Sequence, residues 1–303
     1  MSFIEQTNLR IGSHLGFSKE LYPTIVKAID YDMGSLQFFL GNNKSFTRQR
    51  LNQEDIDNCR NLADEYMLSV FSHYPYTSSL LGTKDSLAWS GDKIQDAKST
   101  KVVKELEHEL HTLSQISETN GVVVHPGSFG NTNDGLDTIA KTINKINFSE
   151  NSKLLLENSA SEGTKIPRNF KEMKRIFDSI DILKKDNVGC CIDTAHIQGS
   201  GIYDLRKRDE VDKMFHDFDK YLGLEKFDLL HLNDSEVKLG AKKDRHSCIG
   251  FGKIWEDDNI SLKYLLTKCS EKFIPVILET ENGKQDLFNI NNLSETTIPK
   301  CEF

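Results

Sequence analysis

The chain holds nine histidines in 303 residues, and their placement carries more information than their number. His73, His125, His196 and His231 each close or follow a short apolar run, as do Glu157, Asp193 and Glu279. His125 opens HPGS, Asp193 and His196 sit in CIDTAH, and His231 opens HLND. A histidine that only fills a core is expected in mid-run, with apolar neighbours on both sides. One polar residue at the end of a run is ordinary, whereas seven at the same end point to a shared site. Asp244 and His246, in KKDRHSCIG, form a further pair that could join His196 in a separate ion site. Neutral imidazoles and carboxylates are the usual ligands of Zn²⁺ and similar ions in catalytic centres. No cysteine shares these positions, so the pattern suits open coordination rather than a closed structural zinc. Nine donors are too many for one tetrahedral ion and imply two or three. Divalent ions grouped in this way suit the hydrolysis of phosphate esters.

Such a site needs a scaffold that brings the ends of many strands to one face. Eight strands are expected: Arg10–His14, Ser35–Leu40, Met67–Ser72, Gly121–His125, Lys153–Glu157, Val188–Asp193, Phe227–Asn233 and Ile274–Glu279. Between them lie stretches with apolar residues at three- and four-residue spacing: Lys19–Ile29, Gln53–Glu65, Val102–Ser117, Leu136–Ile146, Pro167–Ile180 and Asp209–Leu222. Eight strands with helices in most gaps predict an α/β fold, a single-domain (β/α)8 TIM barrel. An open doubly wound sheet is the other option, but no Gly-rich phosphate loop follows the first strand. The barrel domain is expected to span 1–281, with 282–303 a peripheral, frayed C-terminal tail rich in Asn, Thr and Ser. The longest irregular stretch, Thr77–Thr100, carries Lys84, Trp89, Lys93 and Lys98 and reads as a decorated surface loop.

Composition narrows the setting. At 37% hydrophobic and 28% charged, the chain can bury a core and is not a disordered polymer. No apolar run approaches the ~18 residues needed to span a bilayer, so no membrane role is expected. MSFIEQTNLR does not read as a secretory signal. The six cysteines have neither CxxC spacing nor the density of a disulfide scaffold, which predicts a reducing, intracellular compartment. Cys190 and Cys191 fall in a predicted buried strand and read as core filler facing opposite sides.

Taken together, LRIGSH, HYPY, VVVHPGS, LLLENSASEG, CIDTAHIQGSGIYD, LLHLNDS, KKDRHSCIGFG and VILET resemble the endonuclease IV family of apurinic/apyrimidinic (AP) endonucleases. The segments follow the family's order from Leu9 to Thr280, and CIDTAH, HLND and DRH in combination are highly specific. The resemblance implies a trinuclear-zinc TIM barrel. In it, His73, His125 and Glu157 would hold the first zinc. Glu157 would bridge to a second, held also by Asp193, His231 and Glu279, and His196, Asp244 and His246 would hold the third. It further implies that the Glu157-bridged pair bears the attacking hydroxide, and that the third zinc stabilises the departing 3′ oxygen. The implied reaction is incision 5′ to an abasic site in double-stranded DNA, leaving a 3′-hydroxyl and a 5′-deoxyribose phosphate, with 3′-end trimming beside it. Lys44 in GNNKSF and Tyr76 in HYPY fall where the family wedges side chains into DNA, while Arg206 and Arg245 are candidate phosphate contacts. His14 is expected to line the pocket, and a monomer is expected. Two departures are visible: Ala195 stands where a cysteine is frequent, and Phe251 where many members carry an acid.

The rival reading is a divalent-metal sugar isomerase or epimerase on the same barrel, which would not need the DRH pair. A non-catalytic damage-binding protein is a further option, disfavoured by the complete donor set. The net charge of −8 argues at first against a nucleic-acid partner. Yet Glu157, Asp193, Asp244 and Glu279 are among the acids counted, and three Zn²⁺ would offset six of the eight charges. The loops of that face also carry Lys44, Arg206, Lys207, Arg208, Lys242, Lys243 and Arg245. The expectation is therefore local, lesion-directed binding with a measurable salt slope.

Overall fold

The computed structural model describes residues 3–45, 47–75, 80, 97–256, 259–280, 283–291 and 293. Twelve strands occur among them: β1 (Ile11–His14), β2 (Ser35–Phe38), β3 (Ser69–His73), β4 (Asn120–Val124), β5 (Gly127–Ser128), β6 (Leu154–Glu157), β7 (Lys165–Ile166), β8 (Val188–Asp193), β9 (Phe227–His231), β10 (Asp234–Ser235), β11 (His246–Ser247) and β12 (Val276–Leu278). Eight of these close into a parallel barrel in the order β1-β12-β9-β8-β6-β4-β3-β2. Each of the eight expected strands is one of them, to within a few residues at either end. Parallel barrel strands are covered on both faces, which is why they read as unbroken apolar runs rather than alternating ones.

The ten α-helices among the described residues are α1 (Phe3–Thr7), α2 (Tyr22–Asp30), α3 (Gln53–Glu65), α4 (Ala97–Ser114), α5 (Thr132–Ile143), α6 (Phe170–Asp178), α7 (Thr194–Ser200), α8 (Arg208–Leu222), α9 (Ile260–Glu271) and α10 (Gly283–Asn291). Local sequence sets several of their starts. Asn52 caps α3 by accepting from the Asp55 amide, and the Asp55 carboxylate in turn accepts from the Leu21 and Tyr22 amides that open α2. Asn169 caps α6 by accepting from the Glu172 amide, and the Glu172 carboxylate accepts from the amide of Arg168, the residue before the cap.

Two apolar layers result. Phe71, Val123, Leu155, Cys191, Leu229 and Ile277 fill the barrel interior. The larger layer lies between strands and helices and includes Cys190, so the adjacent cysteines do face opposite sides. Both are buried and, like Cys59 and Cys269, free. No helix among the described residues is long and apolar enough to cross a membrane.

Two boundaries differ from the sequence reading. Helix α4 begins at Ala97, inside the stretch read as a surface loop; residues 81–96 of that loop, with Lys84, Trp89 and Lys93, lie outside the described residues. The segment read as a peripheral tail contains α10, with Leu287 and Ile290 buried and the Asp286 carboxylate accepting from the Ile249 amide. Gly283 approaches β1 so closely that a Cβ there would lie 1.9 Å from Ser13 Oγ. With few apolar residues amid Asn and Gln, α10 shows too short a periodic pattern to stand out in the sequence.

Candidate metal centre

The proposed donors sit where the barrel topology delivers them. His73, Glu157, Asp193 and His231 are the last residues of β3, β6, β8 and β9. His125 and Glu279 follow the last residues of β4 and β12. All six therefore converge on the carboxyl-end mouth, the face on which barrel enzymes build their sites. His196 enters from α7, whose N-cap is Asp193: its Oδ1 accepts from the His196 amide at 2.8 Å. Helix α7 ends at Gly201, which has φ +76° and packs so closely that a Cβ would lie 2.7 Å from Gly240 Cα. That approach lets the following loop dock on α7, with the Gly240 amide donating to Gln198 O and the Lys242 amide to Gly199 O, both at 2.8 Å. Asp244 and His246 arrive on this loop, and β11 is held by antiparallel pairing with β10. The buried Asp234 carboxylate anchors the far side by accepting from the amides of Ser235, Gly250, Gly252 and Ile254.

Three groups of donor atoms come within reach of a common ion: His73, His125 and Glu157; Glu157, Asp193, His231 and Glu279; and Asp193, His196 and His246. Asp244 lies beside the last group, 3.1 Å from His196 Nε2 and 3.3 Å from His246 Nε2. Glu157 is shared by the first two groups and is almost wholly buried, with Oε2 2.8 Å from His125 Nε2 and 3.3 Å from His73 Nε2. A cavity of about 250 Å³ opens above them, lined by His125, Glu157, His196, Asp244, Arg245, His246 and Glu279.

Backbone and amide partners orient the imidazoles. His73 Nδ1 donates to Tyr74 O at 2.7 Å and His196 Nδ1 to Asn158 O at 2.8 Å. In each case the other nitrogen keeps its lone pair for the cluster, the arrangement typical of metal-binding histidines. Asn233 spans two acids, its Nδ2 donating to Asp193 Oδ2 at 2.6 Å and Glu279 Oε2 at 3.2 Å.

The electrostatics call for positive charge. Burial would lower His196, but Asp193, Asp244 and Glu157 reverse the sign and raise it to about 10. His246 is likewise raised to about 9, against its burial, by Asp193, Asp244 and Glu279. Burial pushes Glu157 upward, yet His125, His231 and His73 hold it well below the carboxylate range. With no other cation, the acids would draw protons onto the imidazoles; a divalent ion would supply that charge instead. His246 Nε2 is buried and lacks a well-formed hydrogen bond while facing the cluster, as a ligand nitrogen would. Carboxylates, imidazoles and one orphaned nitrogen fit divalent cations such as Zn²⁺.

Residues 25–295 match the family described as xylose isomerase-like TIM barrel. A "Probable endonuclease 4" of Methanosphaera stadtmanae is 32% identical over 277 residues, covering 90% of this chain and 93% of that protein. The chain belongs to the endonuclease IV family. A second relative of the same name, from Nitrosopumilus maritimus, is 30% identical over 295 residues and covers 95% of this chain and 99% of its own. The solved endonuclease IV of Thermus thermophilus superposes with a TM-score of 0.75 at 26% identity, over 93% of this chain and 96% of that one.

Within this endonuclease IV framework, the candidate DNA contacts are less tightly gathered than the donors. Arg245 lines the metal cavity, its guanidinium donating to Asp244 O at 2.6 Å. Lys44 is exposed on the loop after β2. Arg206 is engaged by Asp204 at 2.6 Å and lines a separate cavity with Gln198, Lys238 and Lys253. Lys207 also pairs with Asp204, and Arg208 lies over the Tyr264 ring, so local partners absorb the basic triplet. Tyr76 lies outside the described residues. His14, at the end of β1, lies 3.1 Å through Nδ1 from Gln37 Nε2, at the cluster's edge. Sequence reasoning missed Gln37, Asn158 and Asn233. The available signal for Gln37 was an amide inside the apolar run SLQFFL; Asn233 lay within HLND.

Proposed function

We propose that the protein is a zinc-dependent AP endonuclease that hydrolyses the phosphodiester 5′ to an abasic site in double-stranded DNA. The products are a 3′-hydroxyl and a 5′-deoxyribose phosphate, and the same centre trims blocked 3′ ends. The observation that carries this reading is the cluster of three donor groups beneath an open cavity, the first two sharing Glu157 and the last two Asp193. His73, His125 and Glu157 hold the first ion, Glu157, Asp193, His231 and Glu279 the second, and His196, Asp244 and His246 the third. Such ions supply Lewis-acid polarisation of the phosphodiester and a nucleophile at neutral pH. The chain's own part is geometric. Glu157 fixes the spacing of the first two positions, and the backbone carbonyls of Tyr74 and Asn158, accepting from Nδ1 of His73 and His196, hold those rings in one tautomer. Arg245 places a cation on the cavity wall to meet the phosphate, and Arg206 a second one in the separate cavity it lines. Lys44 and Tyr76 wedge the duplex; extrusion is easiest where the base is missing, which selects damage without reading sequence.

The deciding test is cleavage of a duplex carrying one tetrahydrofuran abasic-site analogue. Incision 5′ to the analogue is expected, lost on prolonged zinc removal and abolished by Glu157→Ala or Glu279→Ala. An intact duplex after stoichiometric zinc loading sinks the nuclease reading. Metal analysis separates it from an isomerase, which would carry one or two Mn²⁺ or Mg²⁺ rather than about three zinc ions per chain.

A further inference from the structure

The third residue of β2, Gln37, is a fully buried amide in a strand otherwise made of apolar and small residues, SLQF. It is in register with His14 of β1 on one side and Phe71 of β3 on the other, near the carboxyl-end mouth. Its hydrogen-bonding groups are all directed at the cluster. Oε1 accepts from His231 Nε2 at 2.8 Å. Nε2 donates to Glu279 Oε1 at 2.7 Å and lies 3.1 Å from His14 Nδ1.

The orientation of this amide follows from chemistry rather than from assignment. An ionised carboxylate only accepts, so the amide nitrogen must face Glu279 and the oxygen must face His231. The oxygen can only accept, which places the proton of neutral His231 on Nε2. Nδ1 then presents its lone pair to the cluster, 3.1 Å from Glu279 Oε2 and 3.4 Å from Glu157 Oε1. One side chain thus fixes both the tautomer of one donor and the carboxylate rotation of another, within the single group Glu157, Asp193, His231 and Glu279.

We propose that Gln37 is a positioning residue for the second cation position, setting its affinity by locking His231 and Glu279 together. The proposal rests on the cation-binding reading of the cluster and is independent of the DNA substrate. Partners of metal ligands typically contribute about 10- to 100-fold in metal affinity.

The test is a zinc titration of the full chain against a chromophoric chelator, with thermal unfolding of the metal-free protein measured in parallel. Gln37→Met, close in volume but with no amide, is expected to weaken one zinc equivalent by roughly 10- to 100-fold and leave the others unchanged. Nitrogen-15 spectra of the histidine rings give the second readout: the His231 proton should no longer be confined to Nε2 in Gln37→Met. Gln37→Glu covers the case in which Gln37→Met does not fold. It retains an acceptor for His231 but repels Glu279, so it should keep the Nε2–H tautomer and still lose zinc affinity. Zinc affinity within about twofold of the parent in the folded variants, or an unchanged tautomer in Gln37→Met, overturns the proposal, because a merely space-filling glutamine would give those results. A parent protein that binds no zinc overturns the cluster reading and this proposal together.

Discussion

Glu109 on α4 offers a sharp test of how the barrel tolerates buried charge. Its side chain is fully buried, Oε1 accepts from Ser72 Oγ at 2.6 Å, and Oε2 lies 3.8 Å from Arg48 Nε without a hydrogen bond. Burial dominates and Arg48 offsets it only in part, so the carboxyl is raised from 4.5 to about 7. A carboxyl raised on folding favours the native state while protonated. That contribution is fully present below the unfolded value and is lost as pH rises through about 7. Linkage gives about 3 kcal/mol in total, and about 2 kcal/mol between about pH 5.5 and about pH 8.5. Glu109→Gln keeps the shape and removes the titration. It should stabilise by about 1 kcal/mol at about pH 5.5 and by about 3 kcal/mol at about pH 8.5. The assay is urea unfolding of metal-free parent and variant at both pH values, comparing midpoints where the slopes agree. The reverse sign, with Glu109→Gln destabilising at the higher pH, would show a strong Arg48–Glu109 ion pair and refute the reasoning.

Two further outcomes follow from buried partners around the mouth. Arg48 donates through one guanidinium nitrogen to Asn42 O and Ser45 O, and its amide donates to Glu105, so it ties the Lys44 loop to α4. Arg48→Met should cost about 3 kcal/mol and speed amide exchange over residues 42–45, read by mass spectrometry; unchanged exchange there would exclude the tether. Asp234→Ala removes the shared acceptor of four backbone amides, so the 250–254 loop should lose exchange protection and the protein one zinc equivalent. Full zinc content in that variant would show that His246 is held without this anchor.

The fold and the clustering of the proposed donors were legible in the sequence for one shared reason. In a parallel barrel the strands are apolar throughout, so a His, Asp or Glu at the end of a run stands out, and Val188–Asp193 could be bounded to the residue. Gln53–Glu65 was equally clear because Asn52 supplies a cap and acids fill the first turn. What escaped was short or non-periodic. The two-residue β10 and β11 are set by tertiary pairing, and the seven-residue α7 is masked by the functional motif it carries. The engagement of Arg206 by Asp204, two residues away, was hidden because charge alone does not show which partner a side chain takes. Gln37 was overlooked because its role depends on residues 194 and 242 positions further along the chain.

The spread of the donors along the chain has a consequence for biosynthesis. The first group is complete in sequence once Glu157 has been made, and the group of Asp193, His196 and His246 once His246 has. The Glu157, Asp193, His231 and Glu279 group waits for Glu279, which follows β12, the strand that pairs with β1 and shuts the barrel. A nascent chain therefore acquires these donor groups in a fixed order, and the last is complete only once the closing strand has been made. Completion of the fold and completion of the donor group that contains Glu279 therefore coincide at β12.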